Sequence, residues 1–365
     1  MNSLAAVLAA ASAVAFGAEG NLKTENVILV TLDGIRWQEM FTGADETLLN
    51  KDRGGVPKNS DIPKRFGRST PKERRSALFP FLWGTVAKRG QILGNPLAKS
   101  PGRVTNGLNF SYPGYSELLC GFADPKIDSN DKSPNPNVTF LEWLNAKPEF
   151  NGRVAAFTSW DVFPFIINSE RSKLPVNGGL VPLRDVAETD EVKLLNRLIA
   201  ETPLAGEDVR PDALTFHAAR IYLKEKKPRV LFLSFDETDS QSHAGRYDRT
   251  LASAHKADGY LRELWETVQA MPEYMGKTTL VVTTDHGRGD APVEWKNHGK
   301  KVPGSHTWWM AAMGPDTPAL GERTNVAEVG QNQLAATVAA LLGQDYCAAV
   351  PKAGKPLPEL VESRK

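Results

Sequence analysis

Three stretches of continuous, largely β-branched hydrophobic sequence constrain the fold of this chain most strongly. They are 26–32 (NVILVTL), 229–235 (RVLFLSF) and 278–284 (TTLVVTT). Because each is apolar throughout rather than alternating, each predicts a strand buried on both faces, as in a parallel sheet. Shorter runs at 154–158 and 308–313 indicate further strands.

Helical patterns lie between these strands. Apolar residues recur at helical spacing from Arg249 to Ala270 and from Val326 to Leu342, and Gly343 ends the second pattern. The alternation predicts an α/β fold with a mostly parallel central sheet sandwiched between helices. In such sheets, ligands bind at the carboxyl ends of the strands.

The 365 residues suffice for one large α/β domain. We predict a signal peptide at 1–18, one catalytic domain at 22–350 and a flexible tail at 351–365, which is rich in Pro and Lys. Two stretches rich in Gly, Pro, Asn and Asp, 44–72 and 95–137, are typical of long functional loops.

The N-terminus resembles an export signal. Leu4 to Phe16 is almost wholly apolar but too short to span a bilayer, and the small residues Gly17 and Ala18 follow it. No Lys or Arg precedes the run, and the alternative is a buried N-terminal helix. We therefore expect an exported protein, periplasmic or secreted, without a stable membrane anchor after cleavage of the signal.

The net charge and the two cysteines bear on which partners and which disulfide the sequence gives reason to expect. The formal net charge is +1, which gives no reason to expect binding to nucleic acid or to an anionic membrane. Cys120 and Cys347 lie far apart in the sequence and in apolar surroundings, which favours two buried thiols but leaves pairing open. Nothing in the sequence indicates an oligomeric state.

Metal-ligating residue types follow the predicted strands. Taken singly, an Asp after a strand is often a helix N-cap, and a lone His is often a core residue. Here four segments supply such side chains to one predicted sheet edge, and their mixture of carboxylate and imidazole suits zinc, with manganese or iron as alternatives. The candidate ligands are Asp33, Asp239, His243, Asp285, His286 and His298.

These segments resemble the motifs of the alkaline phosphatase superfamily, and particularly its type I phosphodiesterase/nucleotide pyrophosphatase branch. VILVTLDGIR (27–36), FDETDSQSH (235–243) and TTDHG (283–287) match its metal motifs, and His298-Gly299 precedes a strand ending in Gly314-Pro315. FSYPGY (110–115) is similar to its nucleophile segment, with Gly121 ten residues after Ser111.

The resemblance implies two divalent metal ions. One would be held by Asp239, His243 and His298, with His306 as the competing third ligand. The other would be held by Asp33, Asp285, His286 and the Ser111 oxygen. These assignments follow the matching motif positions in this sequence.

The resemblance further implies that Ser111 is the nucleophile, with Ser116 as the alternative. A serine hydroxyl is a poor nucleophile at neutral pH, and a bound dication activates it without a general base. The implied enzyme is a metal-dependent phosphoric ester hydrolase, a phosphodiesterase or a phosphatase, that forms a covalent phosphoserine on a small-molecule phosphoester. Without the metal motifs, Ser111 would be a turn hydroxyl before Pro113.

The substrate side is less constrained. Asn130 lies within a residue or two of the position where phosphodiesterase relatives carry an Asn that binds a phosphoryl oxygen, although its loop is also typical of solvated turn residues. Arg36, Trp160 and Arg288 are within reach of a pocket, but arginines after strands are more often surface partners.

Other functions within the superfamily remain as alternatives. A sulfatase would need Arg where Tyr115 stands, and a monoesterase with a third, magnesium site would want Glu where Ser234 stands. A phosphomutase or phosphotransferase would use a similar ligand set but carries a large inserted domain. A non-catalytic metal-binding envelope protein would be expected to have lost a ligand, and none of the matched positions is missing.

Overall fold

The computed structural model describes residues 22–204 and 208–361. The predicted signal peptide therefore lies outside the described residues. Within them the strands are β1 (Asn26–Leu32), β2 (Gln91–Leu93), β3 (Gly102–Arg103), β4 (Val154–Thr158), β5 (Val176–Gly178), β6 (Val230–Phe235), β7 (Thr278–Thr283), β8 (Met310–Met313), β9 (Gly321–Glu322) and β10 (Val329–Gly330).

The helices of the described residues vary from single turns to six turns. They are α1 (Trp37–Thr42), α2 (Lys51–Gly54), α3 (Ile62–Phe66), α4 (Pro71–Leu78), α5 (Ala87–Arg89), α6 (Ser111–Cys120), α7 (Phe140–Asn145), α8 (Phe163–Ile166), α9 (Ser169–Ser172), α10 (Asp190–Glu201), α11 (Asp212–Lys226), α12 (Glu237–His243), α13 (Tyr247–Gln269), α14 (Leu334–Leu341) and α15 (Tyr346–Ala349). None of them is both long and apolar enough to cross a membrane.

An eight-stranded sheet forms the centre of the molecule, with strand order β5-β4-β6-β1-β7-β8-β2-β9. Strands β5, β4, β6, β1 and β7 run parallel, and β8 runs antiparallel to both of its neighbours. This confirms the predicted mostly parallel α/β sheet. The five predicted strands are present, although the last begins at Met310 rather than at 308.

Both faces of the sheet are buried, as the continuous apolar runs predict. Along β1, Ile28, Val30 and Leu32 point into the core shared with α10, α11 and α13, whereas Val27 and Leu29 point into the core shared with α6, α7 and α14. Alternation of side chains along a strand explains why a strand covered on both faces needs an apolar residue at every position.

The register of the parallel strands brings the candidate ligands to one edge of the sheet. Leu32 pairs with Phe235, and Thr31 pairs with Thr283, so the three long strands end at the same level. Because β8 is antiparallel, Met310 at its start lies opposite Thr283. The segment that precedes β8 therefore reaches the same edge as the segments that follow β1, β6 and β7.

Two predicted local structures differ from the observed ones. Val326–Leu342 is not one helix: Val329 and Gly330 form β10, paired with Gly102 and Arg103, and α14 begins only at Leu334. Gly330, a poor helix former, and the backbone bond from the Val329 amide to the Pro101 carbonyl account for the delay. The stretch 95–137, predicted as loop, contains the fully buried helix α6.

The prediction of a flexible tail from residue 351 differs from the structure, in which 351–361 packs against the domain. Ala353, Leu357 and Leu360 are buried in the core beside α14. The Leu357 amide donates to Thr337 Oγ1 at 2.9 Å, and Arg323 forms an ion pair with Glu359. The segment therefore belongs to the domain, because its three apolar side chains outweigh the tendency of its prolines and lysines toward solvent.

We expect Leu360→Ala to lower the free energy of unfolding by about 2–5 kcal/mol, because a fully buried leucine leaves a cavity when it is truncated. Urea denaturation followed by circular dichroism measures this. Leu97→Ala is the matched control, since Leu97 is 72% exposed and its truncation should change stability by no more than about 0.5 kcal/mol. Equal effects of the two substitutions would mean that the tail does not contribute to the core.

The two cysteines are free thiols. Cys120 is buried at the end of α6, and burial raises its pKa to about 12, so the thiol stays protonated. Cys347 is only half-buried, and its thiol contacts the Gly354 carbonyl rather than Cys120. Of the two thiols expected to be buried, Cys120 is buried and Cys347 is half-buried.

Candidate metal centre and nucleophile

All six candidate ligands lie at the carboxyl edge of the sheet. Asp33 follows β1, Asp285 and His286 follow β7, and His298 lies in the segment between β7 and β8. Asp239 and His243 are one turn apart on α12, which begins directly after β6. Spacing of four residues places both side chains on the same face of that helix.

The first group of ligand atoms surrounds His286. Its Nε2 lies 3.5 Å from Asp33 Oδ1 and 3.2 Å from Asp285 Oδ2. The Ser111 hydroxyl oxygen lies 3.4 Å from the same nitrogen, which is long for a hydrogen bond between two side chains. All four side chains are buried.

Two oxygens of this group have no hydrogen-bond partner among the described residues. They are Asp33 Oδ1 and Asp285 Oδ2, the same atoms that face His286 Nε2. A buried carboxylate oxygen without a partner is costly. Tetrahedral coordination with bonds of about 2.0–2.1 Å separates neighbouring ligand atoms by about 3.3–3.4 Å. The observed separations fit a divalent cation between these atoms.

The electrostatics of the first group also favour a positive charge beside its carboxylates. Burial, followed by repulsion from neighbouring carboxylates, raises the pKa of both Asp33 and Asp285 well above the ordinary value. Burial lowers the pKa of His286, which keeps its imidazole neutral. His286 Nδ1 is 2.9 Å from the Gly287 carbonyl, to which it donates, so that Nε2 carries the lone pair toward the group.

The second group consists of Asp239, His243 and His298. His243 Nε2 is 3.2 Å from Asp239 Oδ2 and 2.9 Å from His298 Nε2, and His298 Nε2 is 3.6 Å from Asp239 Oδ1. These distances also fit the edges of a coordination tetrahedron. His298 Nδ1 is held by the Asn109 carbonyl at 3.2 Å, which directs Nε2 toward the group.

The two groups are adjacent. The His298 ring stacks on the His286 ring with centroids 4.0 Å apart. Ligand atoms of Asp239, His286 and His298 also lie within 4.8 Å of one another, as do those of Asp33, Asp285 and His286. His286 therefore faces both groups. Burial lowers the pKa of His298 to about 4, so both imidazole rings are neutral and suited to ligate a metal ion.

Helix α12 is held in place by a carboxylate from another element. Asp212, at the start of α11, accepts hydrogen bonds from the amides of Asp236 and Glu237 at 2.9 and 3.2 Å. The Ser159 hydroxyl donates to it at 2.6 Å. Asp212 thereby caps the first turn of α12, where the free amides and the helix dipole favour an acceptor. This contact fixes the helix that presents Asp239 and His243.

Ser111 is the first residue of α6 rather than a turn residue. The helix packs closely on the strand-end segment because Gly114 has no side chain: a Cβ there would lie 2.7 Å from the Asp285 carbonyl oxygen. Gln331 Nε2 joins the same two segments by donating to the carbonyls of Gly114 and Asp285. The sequence alone gave no signal for this role of Gln331, which lies more than 200 residues from α6.

The alternative residues lie away from the two groups. The Ser116 hydroxyl bonds Asn135 at 3.1 Å and is not beside His286. His306 is exposed, and its backbone carbonyl accepts a hydrogen bond from the Val104 amide at 2.8 Å. The geometry thus brings together Ser111 and His298 rather than Ser116 and His306.

Asn130 lies beside the nucleophile. Its Oδ1 accepts a hydrogen bond from the Tyr112 amide at 2.9 Å, at the N-terminus of α6, and its side chain is otherwise exposed. Trp160 is buried, with its indole nitrogen donating to Asp208. Of the predicted substrate contacts, Asn130 is therefore the one that bonds the residue next to Ser111, Tyr112.

The two arginines considered as surface partners are buried instead. Arg36 forms an ion pair with Glu39, and Arg288 contacts Asp239. Arg288 also donates to the carbonyls of Trp295 and Lys296, which anchors the segment leading to His298. Burial alone would raise the pKa of Asp239, but Arg288 and the neighbouring histidines hold that pKa well below its ordinary value. The sequence-based expectation was wrong for both arginines, because each has buried acceptors: Glu39 and the Gly289 carbonyl for Arg36, and Asp239 for Arg288.

Comparison with solved structures agrees with this fold. Solved structures with the same fold include the alkaline phosphatase PafA (TM-score 0.59, 11% identity, 95% of this chain and 100% of that chain), the lipoteichoic acid synthase LtaP from Listeria monocytogenes (0.57, 11%, 90% and 74%) and a putative sulfatase from Bacteroides thetaiotaomicron (0.54, 13%, 92% and 74%). The architecture is that of the alkaline phosphatase superfamily. At these identities the likeness establishes the fold alone.

A family model described as type I phosphodiesterase / nucleotide pyrophosphatase matches residues 54–309, more than half of the chain, and the protein belongs to that family. The match includes Ser111 and the segments that carry Asp239, Asp285 and His298, whereas Asp33 precedes it. No curated protein matches the chain. Family membership identifies the protein as a hydrolase of the alkaline phosphatase superfamily. The structure adds two clusters of side chains that are candidates for binding metal.

Proposed function

We propose that this protein is an exported, two-metal hydrolase of phosphoric esters that acts through a covalent phosphoserine on Ser111. One divalent ion would be held by Asp239, His243 and His298. The other would be held by Asp33, Asp285, His286 and the Ser111 oxygen. Mixed carboxylate and imidazole donors favour zinc, and manganese or iron are the alternatives.

The observation that carries the proposal is the position of the two unpartnered carboxylate oxygens. Asp33 Oδ1 and Asp285 Oδ2 are buried, have no hydrogen-bond donor among residues 22–204 and 208–361, and face a neutral imidazole nitrogen and the Ser111 hydroxyl. A protein interior does not tolerate such oxygens unless a proton or a cation compensates them. A proton on one of these carboxylates could bridge only two of the four atoms, and neutral His286 offers none from Nε2, so a cation is the simplest partner that satisfies all four.

When bound, the two cations supply the positive charge that favours the ionised serine oxygen and neutralises the phosphoryl and leaving-group oxygens. The Ser111 hydroxyl would lose its proton to solvent and its oxygen would attack phosphorus, so that the Ser111 O–P bond forms as the ester O–P bond breaks. The leaving alkoxide would take a proton from solvent and depart as the alcohol. Water then cleaves the phosphoserine, which releases phosphate or a phosphomonoester and restores the Ser111 hydroxyl. The chain's own contribution is to hold the nucleophile at the edge of a buried, neutral histidine pair.

The N-terminus of α6 is the natural place for a phosphoryl oxygen. The first amides of a helix lack intrahelical partners, and the helix dipole favours an anion there. Asn130 bonds the Tyr112 amide at this end of α6, so its free amide group lies beside the same position. We propose that Asn130 donates to a phosphoryl oxygen of a small-molecule phosphoester.

The proposal that the protein is exported rests on the apolar run Leu4 to Phe16.

Hydrolysis of three p-nitrophenyl esters, measured side by side, tests the function: the phosphate monoester, a phosphate diester and the sulfate. We expect a dominant phosphate-ester activity that EDTA removes and zinc restores. The ratio of monoester to diester turnover then distinguishes a phosphatase from a phosphodiesterase. Dominant turnover of the sulfate, or phosphate-ester turnover that persists after complete removal of metal, would contradict the proposal.

A further inference from the structure

Tyr115 contacts the metal centre although it is not one of the candidate ligands. It lies four residues after Ser111, on the same face of α6, and its side chain is fully buried. The Tyr115 hydroxyl donates to Asp33 Oδ2 at 2.8 Å, and the Ser234 hydroxyl donates to the Tyr115 oxygen at 3.0 Å. Ser234 on β6, Tyr115 on α6 and Asp33 after β1 therefore form one hydrogen-bonded chain.

This chain makes the two oxygens of Asp33 unequal. Oδ2 is occupied by the tyrosine hydroxyl, whereas Oδ1 has no donor and lies 3.5 Å from His286 Nε2. A carboxylate whose one oxygen is held by a fixed donor presents the other in a defined direction. Without the hydroxyl, a buried Asp33 would have two unpartnered oxygens and would be free to rotate about its χ2 torsion.

We propose that Tyr115 is a positioning residue that orients Asp33 for one of the two cations and couples this ligand to the nucleophile helix. The inference rests on the proposed function, because it concerns the cation site that Asp33 would form. Since Ser111 and Tyr115 are carried by the same helix, the bond to Asp33 also fixes where the serine oxygen lies relative to His286. Ser234 holds the tyrosine hydroxyl in the orientation that donates to Asp33.

The contact can be removed without disturbing the packing. The Tyr115 ring meets the Phe163 ring edge-on with centroids 4.6 Å apart, and Tyr115→Phe retains this ring. Only the oxygen between Ser234 and Asp33 is lost. A matched control exists in Tyr274, which is also buried and donates its hydroxyl to the Pro228 carbonyl at 2.8 Å. These two residues precede β7 and β6, at the opposite edge of the sheet.

The test is a metal titration of the full-length protein after removal of metal with a chelator. Isothermal titration with Zn²⁺ gives the affinity of each site, and the visible absorption of Co²⁺ reports the geometry of each. We expect Tyr115→Phe to weaken one of the two sites by about 10–100-fold and to alter its Co²⁺ spectrum, while the other site stays within about twofold. Ser234→Ala should weaken the same site by a smaller factor, and Tyr274→Phe should weaken neither.

Asp33→Asn, titrated in parallel, separates failure of this inference from failure of the proposed function. If Asp33→Asn abolishes one site while Tyr115→Phe binds both ions with unchanged affinity and spectrum, the positioning role is overturned and the metal assignment stands. If Asp33→Asn still binds two ions as tightly as the original protein, both the positioning role and the assignment of Asp33 are overturned. Should Tyr115→Phe fail to fold, Ser234→Ala decides the positioning role by the same comparison.

Discussion

Ser111→Ala is expected to lower turnover of the preferred phosphate ester by at least about a thousandfold, because it removes the atom that attacks phosphorus. The fold and most of the bound metal should remain, since the Ser111 side chain contributes one oxygen to a group that retains Asp33, Asp285 and His286. Turnover with the p-nitrophenyl ester, together with metal content, measures both effects.

Ser116→Ala is the matched control for this prediction. Ser116 lies on the same helix and is equally buried, but its hydroxyl bonds Asn135 rather than facing His286. The control should retain most of the turnover, with a loss of stability of about 1 kcal/mol from the missing hydrogen bond. If Ser111→Ala turned over near the original rate, and Ser116→Ala did not, the nucleophile would be Ser116.

His298→Ala is expected to reduce the metal content from two ions per chain toward one. The His298 Nε2 atom is one of four atoms, from three side chains, that lie 2.9–3.6 Å from their neighbours, and the remaining pair of side chains cannot fill a tetrahedral site. Metal analysis of the purified protein after dialysis, with phosphate-ester turnover measured in parallel, checks this. Turnover should fall by at least about a hundredfold, because one of the two charges that stabilise the reaction is lost.

His306→Ala serves as the comparison, because His306 is the competing ligand by sequence but is exposed and accepts a hydrogen bond at its backbone carbonyl. Its metal content should be unchanged at two ions per chain. Unchanged metal content in His298→Ala, together with loss of an ion in His306→Ala, would transfer the ligand role to His306.

The two groups of candidate metal ligands show what can be predicted from sequence when strands are parallel. The residues that follow β1, β6 and β7 meet because the registers Leu32–Phe235 and Thr31–Thr283 bring the strand ends level. Parallel pairing leaves little freedom in where these ends lie, since each strand is buried on both faces. A list of polar residues after apolar runs is therefore nearly a list of neighbours in space.

Contacts made by the same site from elsewhere in the chain were not predictable in this way. Arg288 was expected at the surface, yet it is buried against Asp239 and the carbonyls of the 295–296 segment. In the sequence, Tyr115 is distinguished only as the residue that stands where a sulfatase would have Arg. Its hydroxyl is a partner of Asp33 because α6 packs across the end of β1, and neither periodicity nor composition reports that packing.

The amino-acid sequence by itself determined the parallel sheet, the order of its long strands along the chain and the residue types at their carboxyl ends. Burial on both faces demands continuous apolar runs, and such runs are visible without any tertiary information. The tertiary structure decided which residues meet at these ends: α6 begins there at Ser111, and His298 rather than His306 faces Asp239. It also decided that residues 351–361 pack as part of the domain. These outcomes depend on contacts between residues far apart in the chain, where close packing and the pairing of buried polar groups select one arrangement that local patterns leave open.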